Sequence, residues 1–96
     1  MNLKSIVSTL QKLKPELAQR FGVSSIGLFG SVVRDDFSQS KSDIDIIVDF
    51  SKPVGIEFID LAEFLESIFH QKIDLVSKRS IKQKYFHSIE NDILYV

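Results

Sequence analysis

Residues 28–50 read LFGSVVRDDFSQSKSDIDIIVDF. The stretch opens on a Gly-Ser pair, Gly30 and Ser31, and closes on Asp43 and Asp45 set among Ile44, Ile46, Ile47 and Val48. Residues 43–50 read as a buried strand, and alternate side chains of a strand share a face. Asp43 and Asp45 therefore project to one side, with Ile44 and Ile46 on the other. Unpaired carboxylates in apolar surroundings are costly. Two of them about 4 Å apart repel by roughly 1 kcal/mol in water and roughly 4 kcal/mol at an effective dielectric of 20. No lysine or arginine lies on this strand; the nearest are Lys41 and Lys52, beyond its ends. The compensation must be a basic partner, exposure at a strand end, or a bound cation.

A third acid, Asp74, sits inside another apolar run, KIDLVS at residues 72–77. If the 43–50 and 72–77 strands are neighbours, Asp43, Asp45 and Asp74 converge on one patch. A hard divalent cation such as Mg²⁺ suits that set, because it takes one or two carboxylates together with phosphate oxygens and water. Three carboxylates are enough to bridge two metals about 3.5–4 Å apart, an arrangement suited to in-line phosphoryl displacement. The Gly-Ser pair points the same way. Gly30 ends a strand where a side chain would block a ligand's close approach. Ser31 stands where a helical turn starts and offers N–H groups, a hydroxyl and the positive end of the dipole to phosphate oxygens. Arg34, one turn on, reaches the same phosphates through a forked guanidinium.

The remainder of the chain frames these segments. Leu3, Ile6, Val7, Leu10 and Leu13 fall at helical spacing, so the chain opens on an amphipathic helix. Pro15 suits the first turn of a helix better than its interior, which predicts one long helix with a break or two short ones, ended by Gly22. Residues 24–30 read as a strand followed by a helical turn from Ser31. A helix spans 56–69, residues 72–77 form a third strand, and S-x-x-Q at Ser80–Gln83 predicts a helix start near Ile81. The final ILYV reads as a short strand. Helices alternating with strands argue for an α/β or α+β sandwich around one sheet.

Ninety-six residues, 44% of them apolar, predict a single globular domain over 1–96. Twelve basic residues against thirteen acidic ones provide no general pull towards nucleic acid, so direct nucleic-acid binding is not expected. The absence of cysteine excludes disulfides and thiolate metal sites. The N-terminus lacks the apolar core of a signal peptide, and no run is long enough to span a bilayer. A cytoplasmic protein with no membrane contact is the expectation.

Gly30-Ser31, a loop, Asp43-Ile44-Asp45 on a strand and Asp74 on a later strand together resemble the DNA polymerase beta nucleotidyltransferase superfamily. Its smallest members, the minimal nucleotidyltransferases or MntA-like antitoxins, are similar over nearly the whole chain. The combination is far more specific than a bare D-x-D. The resemblance implies a nucleotidyltransferase fold, a mixed β-sheet of three to four strands with helices packed on it. It implies that Asp43, Asp45 and Asp74 are catalytic and bind Mg²⁺, two ions in all. Gly30 and Ser31, with Arg34 and Ser42, would hold the nucleoside triphosphate. The implied reaction moves AMP from ATP to a hydroxyl, a tyrosine of a HEPN-domain toxin encoded by an adjacent gene. Two departures from the pattern are visible: eleven residues (32–42) separate Ser31 from Asp43, and Asp35 stands where many relatives have glycine.

Blander readings stand beside these. Asp43 and Asp45 also fit a wet edge strand, Ser42 a simple strand start, and Asp35, Asp36 and Asp49 solvated surface acids. Lys78, Arg79, Lys82 and Lys84 read as a solvated face, or as a patch that steers a triphosphate or meets an acidic partner. His70 and His87 lack metal-ligand spacing. The phenylalanines at 58, 64, 69 and 86 recur at helical intervals and read as core or partner-facing surface. Two non-catalytic functions compete with the enzyme: a module that masks a toxin by surface contact, and a nucleotide sensor.

Overall fold

The computed structural model describes residues 2–34 and 43–96. Helix α1 (Leu3–Phe21) leads into strand β1 (Val23–Phe29) and a short 3₁₀ turn (Gly30–Val33). Strand β2 (Ile44–Phe50), helix α2 (Ile56–Phe69) and strand β3 (Ile73–Ser77) follow. Helix α3 (Gln83–Ile89), a second 3₁₀ turn (Glu90–Asp92) and strand β4 (Leu94–Tyr95) complete the described chain. The strands form one mixed sheet in the order β3-β2-β1-β4. β1 runs antiparallel to β2 and β4, whereas β2 and β3 are parallel and joined by the α2 crossover.

The apolar period of the sequence sets the layering. Ile44, Ile46, Val48 and Phe50 on alternate positions of β2 enter the core with Ile26 and Leu28 of β1. Ile6, Leu10, Leu17 and Phe21 of α1, and Leu61, Leu65 and Phe69 of α2, cover that face. Each such side chain contributes roughly 1.5–3 kcal/mol on full burial. Asp45, Ile47 and Asp49 occupy the intervening positions and so belong to the opposite face. The helix at 56–69 and all four strands lie where the apolar pattern puts them.

The structure departs from the sequence-based expectation at Pro15 and at the start of the last helix. Pro15 neither breaks nor splits the first helix; α1 continues through it as one element. Pro15 is exposed, so its missing N–H leaves no buried carbonyl to satisfy. Asn2 and Ser5 cap the start reciprocally, and Gly22, with φ 72°, closes the end through a bond from its N–H to Ala18 O at 3.0 Å. The S-x-x-Q pattern at Ser80 makes no cap. Ser80 and Ile81 instead turn back on Ser77 O, and α3 begins at Gln83 with no side-chain cap on its start.

Candidate active site

The parallel register of β2 and β3 places Asp45 directly beside Asp74. Their carboxyl groups lie close enough to interact. Asp45 is half-buried, Asp74 exposed. Burial first, then the Asp74 charge and its hydrogen bond, then the Asp43 charge, push the Asp45 carboxyl up from 3.8 to about 6, against an opposing pull from Arg34. Asp43 and Asp74 are therefore close enough to penalise the ionisation of Asp45.

Asp43 lies one residue before β2. Its Oδ2 is 4.0 Å from Lys72 Nζ, a contact between two largely exposed groups. Sequence reasoning missed Lys72. Its signal was its position two residues before Asp74, which puts it on the same face of β3. Among the described residues, no three acidic or histidine side chains stand together as they are in an arrangement that would hold a metal ion. Asp45 and Asp74 form the pair, and Asp43 flanks it with its carboxylate turned to Lys72.

The Gly30–Ser31 turn abuts this pair. Phe29 is the β1 partner of Asp45, so Gly30 follows directly at the acids. Gly30 has φ 73°, and a Cβ there would overlap the Asp45 carboxyl, lying 3.1 Å from its Cγ. Only glycine fits both the backbone angle and the space. Ser31 is half-buried at the first turn of the 3₁₀ segment, and Arg34 N–H donates to Ser31 O at 3.1 Å. The Arg34 side chain is exposed, and its charge acts on Asp45. Of the residues singled out from sequence, Asp43, Asp45, Asp74, Gly30, Ser31 and Arg34 thus share one end of the sheet. Ser42, with Asp35 and Asp36, lies outside the described residues.

The basic segment belongs elsewhere. Lys78 N–H donates to Val48 O at 2.8 Å, beyond the far end of β3, and four strand residues correspond to about 13 Å from Asp74. Lys78 Nζ sits over the Phe86 and Tyr95 rings at 5.6 and 5.4 Å. Arg79 Nε bonds Asp49 Oδ1 at 3.0 Å, and its Nη2 bonds Phe50 O at 2.9 Å. Asp49 is accordingly a paired, partly buried acid rather than a solvated one. His87 bonds Glu90 at 3.1 Å, and His70 caps α2 with φ 52°. Phe69 is buried, while Phe64 packs on Phe21 with ring centroids 5.5 Å apart and Phe58 on Phe50 at 6.4 Å. Among the described residues no helix is long and apolar enough to cross a membrane.

Comparison with known proteins agrees with this geometry. The model of the nucleotidyltransferase domain family matches residues 10–95. Protein adenylyltransferase MntA of Thermococcus cleftensis is 41% identical over 97 residues, covering 100% of this chain and 97% of its own. A structure that carries the family name minimal nucleotidyltransferase superposes with a TM-score of 0.81 at 23% identity, covering 98% of this chain and 95% of that one. A chain from the structure of a tri-AMPylated Shewanella oneidensis HEPN toxin in complex with MNT antitoxin gives a TM-score of 0.62 at 25% identity, covering 98% and 67%. This chain belongs to the nucleotidyltransferase family, among its minimal, MntA-like members, and is an enzyme of the nucleotidyl-transfer class.

Proposed function

We propose that residues 1–96 act as one minimal nucleotidyltransferase domain that moves AMP from ATP to a hydroxyl of a partner protein. The acceptor is a tyrosine of a HEPN-type toxin, whose modification neutralises it, and the reaction takes place in the cytoplasm. The observation that carries this reading is the Asp45–Asp74 register pair set against the Gly30–Ser31 turn. The adenylyltransferase name of the Thermococcus relative and the HEPN toxin complex of the Shewanella neighbour support the donor and the partner.

The donor set fits magnesium. It offers only hard carboxylate oxygens, and burial together with the Asp74 and Asp43 charges disfavours the charged form of Asp45. Asp43, Asp45 and Asp74 would hold the ion, Asp43 after turning from Lys72. Bound there, magnesium supplies positive charge to the triphosphate and to the acceptor oxygen. The chain's own groups do the rest. Ser31 and the backbone N–H groups of the turn hold phosphate oxygens, and the bare Cα of Gly30 lets them approach beside Asp45. Arg34 and Ser42 add contacts to the phosphates, the guanidinium countering charge on the leaving pyrophosphate. Asp74, the exposed acid, accepts the proton of the attacking hydroxyl. That oxygen bonds to the α-phosphorus as the bond to pyrophosphate breaks.

The test is incubation with α-labelled ATP, Mg²⁺ and the purified HEPN protein of the neighbouring gene. Label on a toxin tyrosine, absent with Asp43→Asn/Asp45→Asn, is the expected result. An unlabelled toxin that this double variant still neutralises would establish masking by surface contact instead. ATP binding without pyrophosphate release or neutralisation would establish a sensor.

A further inference from the structure

The start of the β2–β3 ladder carries more than the catalytic acids. Ile44 N–H donates to Lys72 O at 3.0 Å, Ile44 pairs with Ile73, and Asp45 pairs with Asp74. One step further out, the same register sets Asp43 across from Lys72. By the two-residue period of strands, all four side chains lie on one face. They form the corners of a small patch: three acids and one lysine. The fourth corner is in contact, since Lys72 Nζ is 4.0 Å from Asp43 Oδ2.

We propose that Lys72 is a positioning residue that sets the divalent-cation affinity of this patch, holding Asp43 as its internal counter-ion until the ion displaces it. The proposal rests on the reading that the three acids hold Mg²⁺. Its physical basis is competition for one carboxylate. Without a metal, Asp43 adds its charge to the crowded Asp45–Asp74 pair, and the Lys72 ammonium group offsets that charge. With a metal, the same ammonium group is a like charge beside the ion. The exchange is easy because both partners are accessible, the Lys72 side chain at 76% and that of Asp43 at 44%. An exposed pair of this kind contributes only about 0.2–1 kcal/mol. Lys72 hangs on a flexible four-carbon stem and can swing out without disturbing the ladder, because the backbone bond from Ile44 to Lys72 is independent of the side chain. The arrangement keeps the metal-free patch from opening through self-repulsion, at the expense of weaker metal binding.

The experiment is calorimetric titration of the full chain with Mn²⁺, without nucleotide. Lys72→Gln should tighten binding about 1.4- to fivefold, the fold-change equivalent to the energy of an exposed pair. Lys72→Arg, which keeps the charge, should stay near wild type. Lys52→Gln is the control. It makes the same change in net charge beyond the other end of β2, beside Gly22, and should leave the affinity unaltered. Unchanged or weaker Mn²⁺ binding by Lys72→Gln overturns the role of Lys72 while leaving the metal site standing. An equal gain in Lys52→Gln overturns it too, because net charge alone would then explain the effect. A wild-type chain that binds no Mn²⁺ removes the metal site itself, and this proposal with it.

Discussion

Gly30 and Asp45 occupy the same space: the Asp45 carboxyl lies where a Gly30 Cβ would be, and the Gly30 backbone holds φ 73°. One residue without a side chain thus lets a half-buried acid lie against the turn that follows β1. The bend and the carboxylate position are a single structural event.

Gly30→Ala should therefore do two kinds of damage. A left-handed backbone angle on alanine costs about 1 kcal/mol, and the overlap with Asp45 raises the total to roughly 1–3 kcal/mol. Urea unfolding should show that loss in the midpoint with little change in slope. Nucleotidyl transfer should fall more than stability does, because the Asp45 carboxyl must leave its present place to relieve the clash. A variant as active and as stable as wild type would mean that the turn adapts and that Gly30 has no special place.

Gly27 makes a different prediction, because its backbone angle is ordinary and only the space is short. A Cβ there would sit 2.7 Å from Ile93 Cγ2 and 3.3 Å from Leu94 O. β4 is a two-residue edge strand held by β1 at Gly27 and Leu28. Gly27→Val should lift β4 from the sheet at a cost of about 1–3 kcal/mol. Amide exchange should speed up at Val96, whose N–H donates to Ile26 O at 2.9 Å, before the β1–β2 ladder is affected. Uniform exchange across the sheet would contradict the local account.

Much of this architecture was legible in the sequence because it depends on short periods. The alternation in DIDIIVDF placed Asp45 opposite the core, and the apolar spacing over 56–69 marked α2, whose Leu65 and Phe69 are buried. Pro15 and Ser80 misled because each is a local signal overridden by context, an exposed helix face in one case and a turn onto Ser77 in the other. Pairings across the sheet were not legible. Asp49 meets Arg79 thirty residues away, and Asp43 meets Lys72 across a parallel ladder whose register no single strand specifies.

The Asp49–Arg79 contact yields a stability prediction free of catalysis. Arg79 bonds both the Asp49 carboxylate and Phe50 O, and Asp49 Oδ1 also accepts from Phe50 N–H at 2.9 Å. The guanidinium thus fastens the segment after β3 to the end of β2. The Arg79 side chain is 59% exposed, so the ion pair itself contributes little. The bond to the partly buried carbonyl adds about 1 kcal/mol. Arg79→Ala should lower stability by about 1–1.5 kcal/mol and Arg79→Lys by nearly as much, since an ammonium group cannot bridge both acceptors. Nucleotidyl transfer should survive both changes at a temperature where the variants remain folded. A large loss of activity there would bring the basic segment back as part of the active site.

The raised carboxyl of Asp45 makes metal-free stability depend on pH with a definite sign. Its folded value of about 6 lies above the ordinary 3.8. Between those two values the folded chain keeps a proton that the unfolded chain has lost. Folding therefore takes up protons there, and stability falls as pH rises from about 4 to about 6. Taken at face value the shift corresponds to roughly 3 kcal/mol; screening at a half-buried group reduces the expected loss to roughly 1 kcal/mol. Glu57 works in the opposite direction, its value lowered by backbone N–H groups at the start of α2, so its contribution is lost as pH falls through the acid range. The difference between wild type and Asp45→Asn isolates the Asp45 part. In EDTA, Asp45→Asn should be the more stable protein at pH 7.5 by several degrees of melting temperature, although inactive. That advantage should shrink steadily as the pH is lowered to 4. Adding Mg²⁺ should raise the melting temperature of wild type and leave that of Asp45→Asn nearly unchanged, because the variant lacks one of the three carboxylates that would hold the ion. A wild type that stays the more stable of the two at pH 7.5 without metal would show that Asp45 is already compensated within the fold, and that its crowding with Asp74 does not call for a cation.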